Sequence, residues 1–144
     1  MPARDSYHNQ VRTALERDGW TITHDPLKLK WGARDMYVDL GAEQLLAAEK
    51  NARKIAVEIK SFLGPSEIAD LEQALGQFVL YTSVLNEVEP ERLLYVAVSE
   101  EIYVDLFEEP IGQLLLAKGR LRLVVFDSIM EVIRVWTPEL PIDT

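Results

Sequence analysis

The hexapeptide Ile55-Ala56-Val57-Glu58-Ile59-Lys60 limits this chain more than any other stretch. Side chains alternate along a strand, so Ile55, Val57 and Ile59 fall on one face and Ala56, Glu58 and Lys60 on the other. The β-branched residues favour a strand that packs into a core. A carboxylate there is costly unless something pairs with it. Two partners answer that need, a neighbouring ammonium in a salt-bridged sheet face or a metal ion. The spacing alone leaves both open.

The rest of the composition narrows the choice of metal. There is no cysteine, which excludes disulfides, thiol nucleophiles and zinc–thiolate sites, and the two histidines stand apart in sequence. A cation would sit on oxygen ligands, which favours magnesium, manganese or calcium. At 144 residues, with 48% of them apolar, the chain is expected to form one domain, residues 1–144, around a proper core. No apolar run is long enough to span a bilayer and no signal peptide opens the chain, so a soluble cytoplasmic protein is expected. The net charge of −9 argues against broad electrostatic adhesion to nucleic acid. Lys28, Lys30 and Arg34, and Lys50, Arg53 and Lys54, form local basic groups that read as solvated hairpin ends.

The periodicity predicts an amphipathic helix over Asp5 to Asp18, with Val11, Ala14 and Leu15 inward and Gly19 ending it. Strands are expected over Trp20–Thr23, Leu27–Trp31 and Met36–Leu40. In the last of these Met36, Val38 and Leu40 share one face, and Tyr37 and Asp39 the other. Leu45–Lys50 and Lys54–Lys60 read as a hairpin around Asn51-Ala52, although residues 43–48 also have helical propensity. Gly64-Pro65-Ser66 breaks the chain before a long helix, Glu67 to Leu85, with Ser66 as N-cap. Its expected inward stripe is Ile68, Leu71, Leu75, Phe78 and Val79. An apolar strand, Arg92–Ser99, precedes two short helices broken at Pro110. Strands Leu121–Phe126 and Met130–Trp136 then turn around Asp127-Ser128. The order of elements predicts an α/β or α+β sandwich with one mixed sheet.

Asp39 ends a strand near Glu58 and Lys60, and two carboxylates suffice to hold a hard divalent cation. Such an ion lowers the pKa of a bound water and stabilises charge on a phosphate, and a lysine beside it orients that water. In the long helix Gln77 and Tyr81 are four apart and share a face, which Gln73 extends. They lie either over the Glu58–Lys60 face or on a flank half in solvent.

Taken together, Asp39, Glu58-Ile59-Lys60 and Gln77-Phe78-Val79-Leu80-Tyr81 resemble the motifs of the PD-(D/E)xK nuclease superfamily. That resemblance implies a restriction-endonuclease-like three-layer core, with a central mixed sheet flanked by helices, from about His8 to Ser99. It implies Asp39, Glu58, Lys60, Gln77 and Tyr81 as catalytic residues. It also implies Mg2+ or Mn2+ held by Asp39, Glu58 and the carbonyl of Ile59. Val38 stands where the family's proline precedes the first acid. The long gap from Asp39 to Glu58 leaves Glu43 as an alternative first acid, with Glu49 a further one. His8 lies nearest to the place where the superfamily's first helix often supplies a glutamate.

A narrower resemblance covers most of the chain. Asp18-Gly19-Trp20-Thr21-Ile22-Thr23-His24-Asp25-Pro26-Leu27, Asp35-Met36-Tyr37-Val38-Asp39-Leu40-Gly41-Ala42-Glu43, Ala47-Ala48-Glu49-Lys50, Lys54 to Phe62 and Asp70 to Phe78 are similar to the XisH family. This family is known from cyanobacteria as the fdxN element excision controlling factor. The resemblance implies a part in programmed site-specific DNA excision by a separate recombinase. It also implies an XisI-like protein as partner, and the net charge of −9 adds the expectation that DNA is contacted as part of a complex, with an oligomer open. Two functions follow, a metal-dependent nuclease or a non-catalytic control factor that uses the same fold to bind protein or DNA. The acid–acid–lysine set favours the first and the acidic charge the second. Near the C-terminal strands, Val132 and Trp136 are candidate partner contacts, Trp136 being equally a candidate for the core.

Overall fold

The computed structural model describes residues 5–45 and 52–141. A mixed six-stranded sheet lies between helices, with a separate two-stranded ribbon beside it. Helix α1 spans His8–Arg17, and strands β1 to β5 are Thr21–His24, Leu27–Trp31, Arg34–Val38, Leu40–Leu45 and Ala52–Ile59. Helix α2 runs Glu67–Val88 and β6 Arg92–Ser99. A three-residue helix, α3 (Glu100–Ile102), continues into a π-helical turn, Tyr103–Phe107. Helix α4 (Pro110–Ala117), β7 (Leu123–Asp127) and β8 (Val132–Thr137) complete the chain.

The strand order is β1-β4-β5-β6-β7-β8. Strands β5, β6 and β7 run parallel, and the outer pairs are antiparallel. Parallel neighbours need crossovers, and the helices supply them: α2 between β5 and β6, and the α3–α4 segment between β6 and β7. Both faces of β5 and β6 are therefore covered, and these strands read as near-continuous apolar runs.

Alternation along β5 divides the core. Ile55, Val57 and Ile59 join Val11, Ala14 and Leu15 of α1 on one face. Ala56 joins Leu71, Ala74, Phe78, Tyr81 and Leu85 of α2 on the other. Leu106 and Phe107 of the π-helical turn lie in the same α2-side cluster. The two faces of the hexapeptide thus fall as its alternation predicts.

Helix α1 starts at His8 rather than Asp5. The Asp5 side chain accepts the N–H of Tyr7 at 2.9 Å and of Ser61 at 3.2 Å, which anchors the preceding turn to the end of β5. Gly19 ends α1 with φ +91°, the left-handed conformation that glycine adopts without steric cost. Ser66 caps α2 as expected, its Oγ accepting from Ala69 N at 3.2 Å. The inward stripe of α2 is centred on Leu71, Ala74, Phe78, Tyr81 and Leu85, not on the full predicted set. Leu75 is half-buried, and Ile68 and Val79 face solvent at 51% and 62% exposure. Apolar residues surround much of this helix, so its sequence carries two overlapping stripes and only packing selects between them. Pro110 opens α4 at a position where its missing N–H has no partner to lose.

The strand expected over Met36–Leu40 is split at Asp39. Val38 closes β3, which pairs with β2 in the ribbon, and Leu40 opens β4 in the main sheet. Val38 is buried on the α2 side and Leu40 on the α1 side. A single regular strand would have put both on one face. Strands β4 and β5 pair from Leu40↔Val57 to Leu45↔Ala52 as a hairpin. Ala52, expected in the turn, is the first residue of β5. Most of the strand expected over Leu45–Lys50, with Asn51 and the alternative acid Glu49, lies outside the described residues.

Candidate active site

The break at Asp39 builds the site. Freed from the ladder, Asp39 turns its side chain toward the end of β5, where Oδ2 accepts the N–H of Ile59 at 2.8 Å. The backbone N–H of Asp39 in turn donates to Oε1 of Glu58 at 3.2 Å. Glu58 is 7% exposed, and its Oε2 lies 3.6 Å from Nζ of Lys60. Asp39, Glu58 and Lys60 are thereby gathered at the carboxyl end of β5, the end at which open α/β sheets commonly place ligands.

Two carboxyls share too little solvent there to ionise freely. Burial pushes Glu58 up to about 8, the Asp39 charge adds to the rise, and the nearby Lys60 opposes it. Burial also raises Asp39, against the N–H of Ile59 and the charges of His8 and Lys60. At neutral pH the pair therefore retains a proton. Tyr81 of α2 is buried and its phenol is pushed up to about 12, first by burial and then by the charges of Glu58 and Asp39. Its ring lies in the core cluster on the α2 side of the sheet.

The remaining expected residues are placed as follows. Ile59 buries its side chain against α1 and gives its N–H to Asp39. Gln77 is half-buried, and its Oε1 is enclosed with no hydrogen-bond partner among the described residues. Gln73 is exposed and lines a cleft of about 190 Å³ with Lys60, Ser61, Phe62, Asp5 and Asp70. Phe62, just past Lys60, has φ +54° and packs edge-on against Phe107. Glu43 lies away from Glu58: it is opposite Lys54 in the ladder, and its carboxylate is 3.8 Å from the buried Arg92. Asp39 is the acid beside Glu58.

Asp5 stands near this centre although nothing in the sequence marked it, and His8, which only the superfamily resemblance placed there, stands near it too. The charges of both act on Asp39. Asp5 reads in sequence as an ordinary helix-start residue, and only the docking of α1 on the end of β5 brings it in. His8 is 3% exposed, with Nε2 2.8 Å from Oδ1 of Asp25, while Arg12 engages the other oxygen of Asp25.

Asp39 and Glu58 offer oxygen donors alone, and burial raises both carboxyls. That donor set fits a hard divalent cation. No three imidazole or carboxylate groups among the described residues converge on one point, so such an ion would keep several waters. One lysine in each of the local basic groups meets acids. Lys28 pairs with Asp35 at 3.5 Å, and Lys54 lies near Glu89 at 3.7 Å and Glu91 at 3.9 Å. No helix among the described residues is long and apolar enough to cross a membrane.

The chain is similar to two crystal structures. One is an XisH family protein from Nostoc punctiforme PCC 73102, with a TM-score of 0.83 and 38% identity over 92% of this chain and 99% of that one. The other is a fdxN element excision controlling factor protein from Anabaena variabilis, with a TM-score of 0.82 and 38% identity over 93% of this chain and 99% of that one. No curated protein matches the sequence. The sequence pattern of the XisH protein family matches residues 1–134.

Proposed function

The chain belongs to the XisH family, and we propose that it is an excision controlling factor whose nuclease-like core holds a Mg2+- or Mn2+-dependent phosphodiester-cleaving site. The observation that carries this reading is the meeting of Asp39, Glu58 and Lys60 at the end of β5, with the Glu58 carboxyl pushed up to about 8. A salt-bridged sheet face needs only one carboxylate beside its lysine. Here a second carboxylate is drawn in by two backbone hydrogen bonds, in a place where burial raises both carboxyls.

In this reading Asp39 and Glu58 hold the cation, joined by the carbonyl of Ile59. Once bound, a divalent ion supplies charge stabilisation for the phosphate oxygens and acidifies water. Lys60 orients the attacking water with its ammonium and balances charge on the phosphate. Tyr81 walls the site on the α2 side, and Gln77 braces it or meets the substrate backbone with its amide. The order of layers around this site supports a restriction-endonuclease-like classification.

The net charge of −9 favours a second reading, in which the same fold controls excision by contact alone. In either case DNA is engaged within a complex, with an XisI-like protein as the partner and the recombinase acting on the assembled product. The deciding experiment incubates plasmid and single-stranded DNA with the purified chain, with and without that partner, in Mg2+, Mn2+ or EDTA. Cutting that needs the cation and disappears in Glu58→Ala supports the nuclease. Intact DNA in every lane, with the complex bound to it, leaves control by contact as the function.

A further inference from the structure

The β2–β3 ribbon is an addition to the sheet. Strand β1 pairs directly with β4, and the chain between them folds back on itself as the ribbon. Its inner side chains, Leu27, Leu29 and Val38, are buried in the α2-side core, and Met36 packs against that core. Trp31 takes the next inward position of β2, opposite Arg34, yet it is 53% exposed. The ribbon has outrun the core at this point. An added Cβ on Gly32, in the turn, would meet nothing within 4 Å. Lys28, Lys30 and Arg34 are all exposed and outnumber the ribbon's one acid, Asp35, in a chain of net charge −9. The pair of Lys28 with Asp35, at 3.5 Å, is open to solvent on both sides and holds the lysine only weakly. Neither Lys30 nor Arg34 has an ion-pair partner among the described residues.

The base of the ribbon stands at the carboxylate pair. Val38 closes β3, Asp39 follows it directly, and Asp39 N donates to Glu58. Arg34 lies four residues up the strand from Val38, about 14 Å away at ~3.4 Å per residue. A nucleic acid strand held at Asp39 and Glu58 therefore has the tip within a few nucleotides. We infer that the ribbon is a contact for single-stranded DNA, in which the indole of Trp31 stacks on an unpaired base and Lys30 and Arg34 meet the neighbouring phosphates. An aromatic platform beside cations that track the backbone is the usual way of holding a strand without reading its sequence. A duplex keeps its base faces stacked and offers none to the indole. Its denser phosphate charge also works against a chain of net charge −9. An acidic protein surface could use the same cations, but the junction of the ribbon with Asp39 favours DNA. The inference rests on the reading above that this chain meets DNA, and it adds the form of the strand and the residues that hold it. It does not require the site to cut.

The test follows the fluorescence anisotropy of a labelled thymine oligonucleotide, single-stranded or annealed to its complement. It is run in EDTA at about 50 mM salt, where a few phosphate contacts are measurable, with the chain alone and with the XisI-like protein. Trp31→Ala should weaken single-strand binding about 5- to 100-fold, the range for one lost stacking platform. Trp31→Phe keeps a ring and should stay within about threefold of the unsubstituted chain. The double variant Lys30→Gln, Arg34→Gln should flatten the slope of log K against log salt by about 1.4, for two phosphate contacts at ~0.7 each. These residues sit at an exposed tip, so the variants should melt with the unsubstituted chain. Unchanged single-strand binding in Trp31→Ala, or duplex bound as tightly as the single strand, overturns the inference. So does a double variant that loses the protein partner and keeps its DNA affinity, which makes the ribbon a protein contact. In those cases DNA is still bound, and the reading of the Asp39–Glu58–Lys60 site stands or falls by its own cleavage assay. If the unsubstituted chain binds no DNA, alone or with the partner, the reading that it meets DNA falls and this inference with it.

Discussion

The backbone N–H of Asp39 donates to the side chain of Glu58 at 3.2 Å, while the side chain of Asp39 accepts the N–H of Ile59 at 2.8 Å. Each acid is therefore held by the backbone beside the other. This reciprocal clamp holds two carboxylates close together in a buried place, where repulsion would otherwise separate them. It also fixes how the site responds to protons and cations.

Stability should depend on pH through Glu58. Its folded pKa, about 8, is above the ordinary 4.5, so its contribution is fully present below about 4.5 and is lost as pH rises through 8. Glu58→Gln keeps an acceptor for Asp39 N and removes the ionisation. In EDTA, the variant should melt a few degrees above the unsubstituted chain at pH 8.5 and close to it at pH 4.5. Thermal melts across this range check the sign. A variant that is less stable at pH 8.5 would show that the ionised Glu58 is favoured by its partners.

Cation binding should release protons. At pH 7 the carboxyl pair retains a proton that a divalent ion must displace, so apparent affinity should rise between pH 6 and 8. Binding should be weak, with Kd on the order of millimolar for Mg2+, because two carboxylates leave most positions to water. Calorimetry in buffers of different ionisation enthalpy reads the proton count. Affinity that does not change with pH would mean that the pair is already fully ionised.

If the site cuts DNA, Lys60→Met should lower kcat by about 100- to 10,000-fold, the range for a group that positions or activates the nucleophile. Affinity for Mn2+ should change little, since Lys60 is not a ligand. Tyr81→Phe should have a smaller effect, because the hydroxyl is lost while the ring still fills the wall. Single-turnover cleavage and Mn2+ titration separate the two effects.

The π-helical turn and α4 should be intolerant of bulk at Gly112. A Cβ there would collide with the carbonyl of Leu106 and the Cα of Phe107, both backbone atoms with nowhere to go. Gly112→Ala should destabilise the chain by about 2 kcal/mol or more, in the range of overpacked cores, and lower Tm by several degrees. At Gly76, where an added Cβ meets nothing, Gly76→Ala should raise Tm slightly through helix propensity. Melting both variants side by side tests the packing without reference to function.

The isolated chain should bind DNA poorly at physiological salt, because its net charge of −9 opposes close approach to the phosphate backbone. An XisI-like partner should co-purify with it, and the complex should bind. Exposed apolar residues beside β8 are candidate contacts, with Ile129 85% and Met130 60% exposed. Trp136, in contrast, packs on Trp20 and Tyr95 and belongs mainly to the core. Gel-shift titrations with each protein and with the pair decide the matter. Tight binding by this chain alone would remove the need for a partner.

Much of this architecture is legible in local sequence. The alternation of Ile55 to Lys60 assigned both faces of β5, and Ser66 and Gly19 marked helix ends, because these signals act within a few residues through geometry and capping. The acid and Glu-x-Lys spacing marked Asp39, Glu58 and Lys60, which meet at the end of β5. Tertiary structure decided the rest. The split at Asp39 arises because Val38 and Leu40 are pulled into opposite cores, a choice made by α2 and α1 rather than by residues 36–40. Ile68 and Val79 lie outside because the sheet accepts only one of the two apolar stripes of α2. Asp5 and His8 reach the site across more than 30 residues of chain, and Glu43 goes to Arg92 instead. Secondary structure and capping follow from neighbours along the chain. Which charges share a buried place follows only from how the layers close on one another.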